Sequence, residues 1–200
     1  MKTKRAANRR NRREMILEKA MEVFAKNGSQ GSTIADIAKA AGIAQGTVYV
    51  YFESKEDLLN ECMQEIIGPE IEEIIARTKD IEDTMERLFE FFNEHINLVE
   101  SKPFIARLLT MENRQNENFY SQWPNFNPLK RYLDYVEELA NDAIKDGRIR
   151  PLDTKTFAYM IVGVMDLAMA QWLTTSQSLD MSQMADSIRD IIRYGTLKKD

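Results

Sequence analysis

Gln45, Gly46, Thr47, Tyr49 and Val50 stand close together, between Gly42 and the pair Tyr51-Phe52. Their types suit contact with a nucleic acid. A glutamine amide can bond adenine through two atoms. Glycine lets the backbone come close to a phosphate, at a cost in helix stability that a free surface would not repay. The Thr47 and Tyr49 hydroxyls can donate to phosphate oxygens. Thr33 and Lys55 fall where flanking helices begin, and backbone N–H groups at such ends favour anions.

The elements that must position these groups can be read from spacing. Ile34, Ile37, Ala38 and Ala41 recur at helical intervals, with Thr33 as N-cap and Asp36 in the first turn. Gly42 supplies a tight turn. A second short helix is predicted from about Ala44 to Tyr51. Val48, Tyr51 and Phe52 face inward on it, and Gln45, Gly46, Tyr49 and Val50 face outward. This is the form of a helix-turn-helix. A preceding helix, Asn11 to Lys26, carries the apolar stripe Ile16, Ala20, Val23 and Phe24 and ends at Asn27-Gly28.

Gly28, Ser32-Thr33-Ile34, Asp36-Ile37-Ala38, Ala41-Gly42-Ile43, Gly46-Thr47-Val48-Tyr49, Tyr51-Phe52 and Ser54-Lys55 resemble the DNA-binding domain of TetR-family transcriptional regulators. The resemblance spans roughly residues 13 to 60. Ser29 departs from the aromatic residue usual after the glycine, and Val50 from a common histidine or polar residue. The resemblance implies a phosphate contact for Tyr49, and pairing of the last two helices with their symmetry mates. It also implies repression as the mode of action and a small-molecule effector. Residues 1–55 are expected to form the DNA-binding domain, and 56–200 the effector-binding and dimerisation domain of an all-α protein.

Charge follows the same division. The chain of 200 residues has a formal net charge of −5. Residues 1–55 hold 11 Lys and Arg against 5 Asp and Glu, leaving 16 against 27 for the remainder. The positive charge is therefore gathered on the helix-turn-helix end, and the acidic body would be repelled by DNA. Lys2, Lys4, Arg5, Arg9, Arg10, Arg12 and Arg13 precede the first helix or open it. They are expected to form an arm, disordered when free, that tracks phosphates of double-stranded DNA.

Composition sets aside other classes. One histidine, His95, and one cysteine, Cys62, cannot build a Cys/His metal cluster. No Gly-rich phosphate loop, nucleophile elbow or His-based triad occurs. Neither an enzyme nor a cofactor is expected. Glu72-Glu73 and Glu137-Glu138 have the form of solvated helix faces. His95 is expected at the surface or satisfied within a helix, and Cys62 as a small buried apolar group. No apolar run approaches 18 residues, no signal peptide is evident, and a cytoplasmic protein without a membrane partner is expected. The rival to a DNA-binding regulator is a helical adaptor or sensor that does not bind DNA; the basic N-terminus argues against it.

Beyond Ser54 the chain reads as helices. Gly68-Pro69 interrupts one, and the stretch 113–128, rich in asparagine, reads as a loop or broken helix. The segment from Thr154 to Thr174 is apolar nearly all round, which requires cover on every side. A second copy of the chain is the economical cover, giving a C2 homodimer. Gly163, Leu167 and Ala170 on this helix, with Met184, Ile188 and Ile191 on the last, are the expected interface. Met85, Phe89, Phe92, Phe104, Met111, Trp123 and Met165 would suit an apolar or amphipathic effector, with Arg107 and Asp166 as polar contacts. The stretch from Met111 to Glu117 loosely resembles acyl-CoA-responsive members of the family, pointing to long-chain acyl groups.

Overall fold

The computed structural model describes residues 2–112, 127–175 and 178–196. Among the described residues all regular structure is helical, in two compact units that divide between Pro69 and Glu70.

The first unit contains α1 (Lys2–Asn27), α2 (Ile34–Ala40), α3 (Gln45–Val48) and α4 (Lys55–Cys62). Ile16, Ala20 and Phe24 of α1, Ile37 of α2, Val48 of α3, Phe52 of the following turn and Leu58 of α4 are all buried. Each of the larger of these side chains contributes about 1.5–3 kcal/mol. Because α1 packs on both α2 and α4, the unit continues past Lys55, where the helix-turn-helix motif itself ends.

Helix α1 starts at Lys2, where an arm was expected. Several of its basic side chains have partners. Arg10 pairs with Glu14, and the Arg9 guanidinium lies 5.9 Å from the centre of the Tyr51 ring. Arg13 lies over Phe52, bonds Glu61 and reaches Glu65 at 2.7 Å. These contacts favour continuing the helix over leaving it as coil.

Gly28 and Gly42 end α1 and α2 with positive φ of 73° and 65°. At Gly42 the Ile43 N–H donates to Ala38 O and the Gly42 N–H to Lys39 O, at 3.0 and 3.2 Å. That paired closure satisfies two orphan carbonyls and requires a left-handed residue between them.

A single π-helical turn, Met63–Ile67, follows α4, and α5 (Gly68–Thr78) continues from it. The Gly68 N–H bonds Met63 O, one residue farther back than in an α-helix. Pro69 has no N–H to offer and its ring crowds the carbonyl four residues before it. The interruption expected at Gly68-Pro69 is thus a wide turn rather than a break.

The second unit comprises most of α5 with α6 (Thr84–Ser101), α7 (Pro103–Arg107), a π-turn (Leu108–Glu112), α8 (Pro128–Lys145), α9 (Thr154–Thr174) and α10 (Met181–Thr196). Asp83, Asn127 and Asp153 cap α6, α8 and α9 by accepting first-turn N–H bonds. Asp180 does the same for Gln183 at 2.8 Å. Gly195 lies inside α10. Helix α8 packs along α9 and against α6, while α10 packs on α6. One core centres on Trp172, Met169, Val99 and Met181. Another stacks Phe91 against Tyr132 and Tyr135, with ring centres 5.4 and 5.1 Å apart.

By length and composition α9 could cross a membrane, though Asp166 interrupts its apolar run. Its buried side, including Phe157, Ile161, Met165 and Trp172, is core. The opposite side leaves Tyr159, Met160, Val164 and Leu167 exposed, in one stripe along the helix.

Candidate nucleic-acid interface and ligand cavity

The capping box of α2 places Thr33. Its hydroxyl accepts from the Asp36 N–H at 3.2 Å, and its own N–H donates to Asp36 Oδ2 at 3.0 Å. The hydroxyl also donates to Asp36 Oδ2 at 2.6 Å, and these bonds hold the Asp36 carboxyl below its ordinary pKa. Thr33's N–H, expected to face an anion, is thus already engaged.

Helix α3 is shorter than the sequence pattern predicts and gives way to a tighter turn after Val48. There the Val50 N–H bonds Thr47 O and the Tyr51 N–H bonds Val48 O. Val48 and Phe52 anchor the segment from below. Gln45 and Gly46 are exposed and Thr47 is half-buried. Tyr49 is 51% and Val50 65% exposed. A Cβ added at Gly46 would meet nothing within 4 Å, so no neighbour in the fold requires glycine there.

The Lys55 side chain has partners within the fold. Its ammonium donates to Ser29 O at 2.8 Å and to Ser32 O at 3.3 Å. It thereby clamps the loop between α1 and α2, and Ser32 Oγ adds a 2.6 Å bond to Gly28 O. Ser29 is buried beneath this clamp. The clamp was not legible in the sequence, since its acceptors are backbone carbonyls 26 and 23 residues away.

The second unit contains a small, partly open cavity of about 30 Å³. Phe91, Leu109, Leu129, Val162 and Met165 make its wall apolar, and His95, Tyr132 and Asp166 add polar groups. That volume is room for about one water. His95 is buried: Nδ1 lies 3.0 Å from the Tyr132 hydroxyl and Nε2 3.0 Å from Met169 Sδ. With the proton on Nε2, Nδ1 accepts from Tyr132 and Nε2–H points at sulfur, so both contacts are made. Burial lowers the His95 pKa to about 4 and pushes that of Tyr132 well up. Both are therefore neutral at pH 7.

Of the effector residues expected from sequence, Met165 and Asp166 line this cavity. Met85, Phe89 and Phe92 are buried elsewhere in the unit, Phe89 beneath Arg189 and Arg193. Phe104 and Arg107 are half-buried away from the lining. Trp123 and the Met111 side chain lie outside the described residues. His95 and Tyr132 were missed: His95 sits among polar neighbours in sequence, and its partners are 37 and 74 residues away. Cys62 is buried with its thiol 3.6 Å from Leu17 O, and burial pushes its pKa up.

On the outer stripe, Gly163, Leu167 and Ile191 are exposed, Leu167 to 67%. Ala170, Met184 and Ile188 are half-buried, and Met184 packs against the Trp172 core.

Residues 16–62, which contain the whole helix-turn-helix, match the family model for bacterial regulatory proteins of the tetR family. Residues 63–195 match that of the YsiA-like protein C-terminal region. The chain belongs to the TetR family. It is a ligand-responsive DNA-binding transcriptional regulator and, as is the rule for TetR regulators, a homodimer. Among TetR-family relatives, it is 31% identical to the fatty acid metabolism regulator protein of Bacillus subtilis, over 92% of this chain and 95% of that protein. The crystal structure of FadR from Bacillus subtilis in complex with stearoyl-CoA superposes with a TM-score of 0.81 at 30% identity, covering 91% of this chain and 98% of that one. AibR in complex with isovaleryl coenzyme A and operator DNA gives a TM-score of 0.74 at 25% identity, covering 90% and 97%.

Proposed function

We propose that this regulator is a repressor that leaves a palindromic operator when a fatty acyl-coenzyme A binds its C-terminal unit. The observation that carries the reading is the apolar cavity with neutral His95 and Tyr132 on its wall, in the region that matches relatives solved with acyl-coenzyme A. An acyl chain suits the Phe91, Val162 and Met165 side, and His95 and Tyr132, bonded to each other, put no charge of their own beside it.

Gln45 reads base edges, Gly46 allows close approach, and Thr47, Tyr49 and Val50 lie along the backbone. The exposure of Gln45, Gly46, Tyr49 and Val50 supports those roles. Lys55 acts at one remove, by holding the loop that leads into α2. The dimer pairs through the stripe containing Gly163, Leu167, Ala170, Met184, Ile188 and Ile191, so that two motifs meet successive major grooves roughly 34–36 Å apart. By linkage, effector and operator weaken each other's binding by the same factor. The protein acts in the cytoplasm, where DNA and acyl-coenzyme A meet, and catalyses no reaction.

Selection of sites from a random duplex pool by the purified protein, followed by titration of stearoyl-CoA on the enriched sequence, tests this reading. The expected result is a palindrome whose binding is lost as stearoyl-CoA is added. Failure to enrich any sequence would overturn the DNA-reading roles. Enrichment without release would overturn the acyl-coenzyme A reading alone.

A further inference from the structure

Arg9, Arg10, Arg12 and Arg13 stand in one stretch of α1 but are engaged differently. Arg10 is paired with Glu14, and Arg13 with Glu61 and Glu65 while it covers Phe52. Arg9 and Arg12 are exposed, and among the described residues neither meets a carboxylate. The Arg9 guanidinium lies instead over the Tyr51 ring, 5.9 Å from its centre, within reach of a cation–π contact. Residues three apart are neighbours on a helix, so Arg9 and Arg12 share a face.

Tyr51 fixes where this charge stands. It follows directly on Tyr49 and Val50, the exposed pair of the reading turn, and its N–H bonds Val48 O at 2.9 Å. A positive face therefore begins beside the groups that suit DNA. Its backbone is helical, since α1 runs from Lys2. An α-helix with its side chains is about 10–12 Å across, while the minor groove of B-DNA is about 6 Å wide. This segment is too thick to enter that groove as an extended arm would, and its charges are left to meet phosphates.

We propose that α1 carries a phosphate-contacting ridge, with Arg9 and Arg12 as its charges and Tyr51 as the residue that holds Arg9 beside the reading turn. This rests on the DNA reading above and adds a contact surface outside the helix-turn-helix. The partner is the backbone of duplex DNA. The ridge supplies affinity without base preference, because phosphate contacts carry no direct sequence information. Its size can be read from salt dependence. Each phosphate neutralised on B-DNA contributes about 0.9 to the slope of log affinity against log salt, and a homodimer presents each arginine twice.

The test uses the purified full-length dimer and its Arg9→Gln, Arg12→Gln, double and Arg10→Gln variants, on the duplex that wild type selects. Glutamine has a helix propensity close to that of arginine, and circular dichroism checks that helix content is kept. Affinity is measured by fluorescence anisotropy over a range of potassium chloride concentrations. Arg9→Gln and Arg12→Gln should each flatten the slope by about 1.8, and the double variant by about 3.6. The sequence that each variant selects from a random duplex pool should be that of wild type. Arg10→Gln should change the slope far less, because Glu14 already offsets its charge. Unaltered slopes in Arg9→Gln and Arg12→Gln would overturn the ridge and leave the DNA reading standing. Loss of an A·T preference beside the half-sites in either variant would also overturn it, since that is the mark of a minor-groove arm. If wild type binds no duplex, the DNA reading falls and the ridge with it. Should Arg9→Gln disturb the fold through Tyr51, the slope of Arg12→Gln still decides the matter.

Discussion

Acidification should destabilise this protein through His95, and the size of the effect can be worked out. Burial holds the folded imidazole near pKa 4, against an ordinary value of 6.5. Between those values the unfolded chain carries a proton that the folded chain does not. Stability contributed by the neutral imidazole is therefore full above pH 6.5, falls as the pH drops, and levels off below about 4. At pH 5 the loss is roughly 2 kcal/mol, at about 1.36 kcal/mol per unit. Carboxylates with depressed pKa values, such as Glu65 beside Arg13, lose their contributions lower in the acid range and must be separated from this one. His95→Asn does so, because the amide oxygen can stand in for Nδ1 as acceptor from Tyr132 without titrating. Urea unfolding at pH 7.5 and pH 5, at one protein concentration and ionic strength, is the assay. Wild type should lose about 2 kcal/mol more than the variant across that interval. Parallel losses in the two proteins would refute the burial argument.

Other substitutions separate reading from positioning. Gly46→Ala should leave the fold intact, stabilise it by a few tenths of a kcal/mol up to about 1, and weaken operator binding at least tenfold in a gel-shift titration. Lys55→Met should lower thermal stability of the first unit by roughly 1–3 kcal/mol, since carbonyls of the 28–32 loop lose a charged donor. The slope of log affinity against log salt should change little, unlike the case of a lysine on phosphate. Leu167→Glu, at a position 67% exposed in one chain, should shift the protein to monomer at micromolar concentration in sedimentation experiments.

The helix-turn-helix was legible because its information is local. Thr33 and Asp36 are three residues apart, and Gly42 needs only its own turn to announce a left-handed closure. Long α9 was legible for the opposite reason, since residues apolar on every side cannot all be buried by a neighbour in one chain. What escaped depends on pairs distant in sequence. Phe89 and Phe91 sit two residues apart with the same chemistry, yet only Phe91 lines the cavity, and spacing alone does not say which face of α6 meets α8. Lys55 reads as a surface cation until the carbonyls of Ser29 and Ser32 turn toward it. The basic segment at the N-terminus reads as coil because it lacks an apolar stripe, and it is helical where Arg9 and Arg13 find Tyr51 and Phe52.

The exposed stripe on α9 and the groups on α3 belong to different compact units, and this has a genetic consequence. A chain damaged only at Gln45–Val50 keeps everything it needs to pair. Expressed equally with the intact protein, it would leave about a quarter of dimers with two working readers if pairing is random. Such an allele would act dominantly, silencing its neighbour by partnership. A lesion at Leu167 would do the reverse: its product would stay unpaired, and the intact allele would function as though alone.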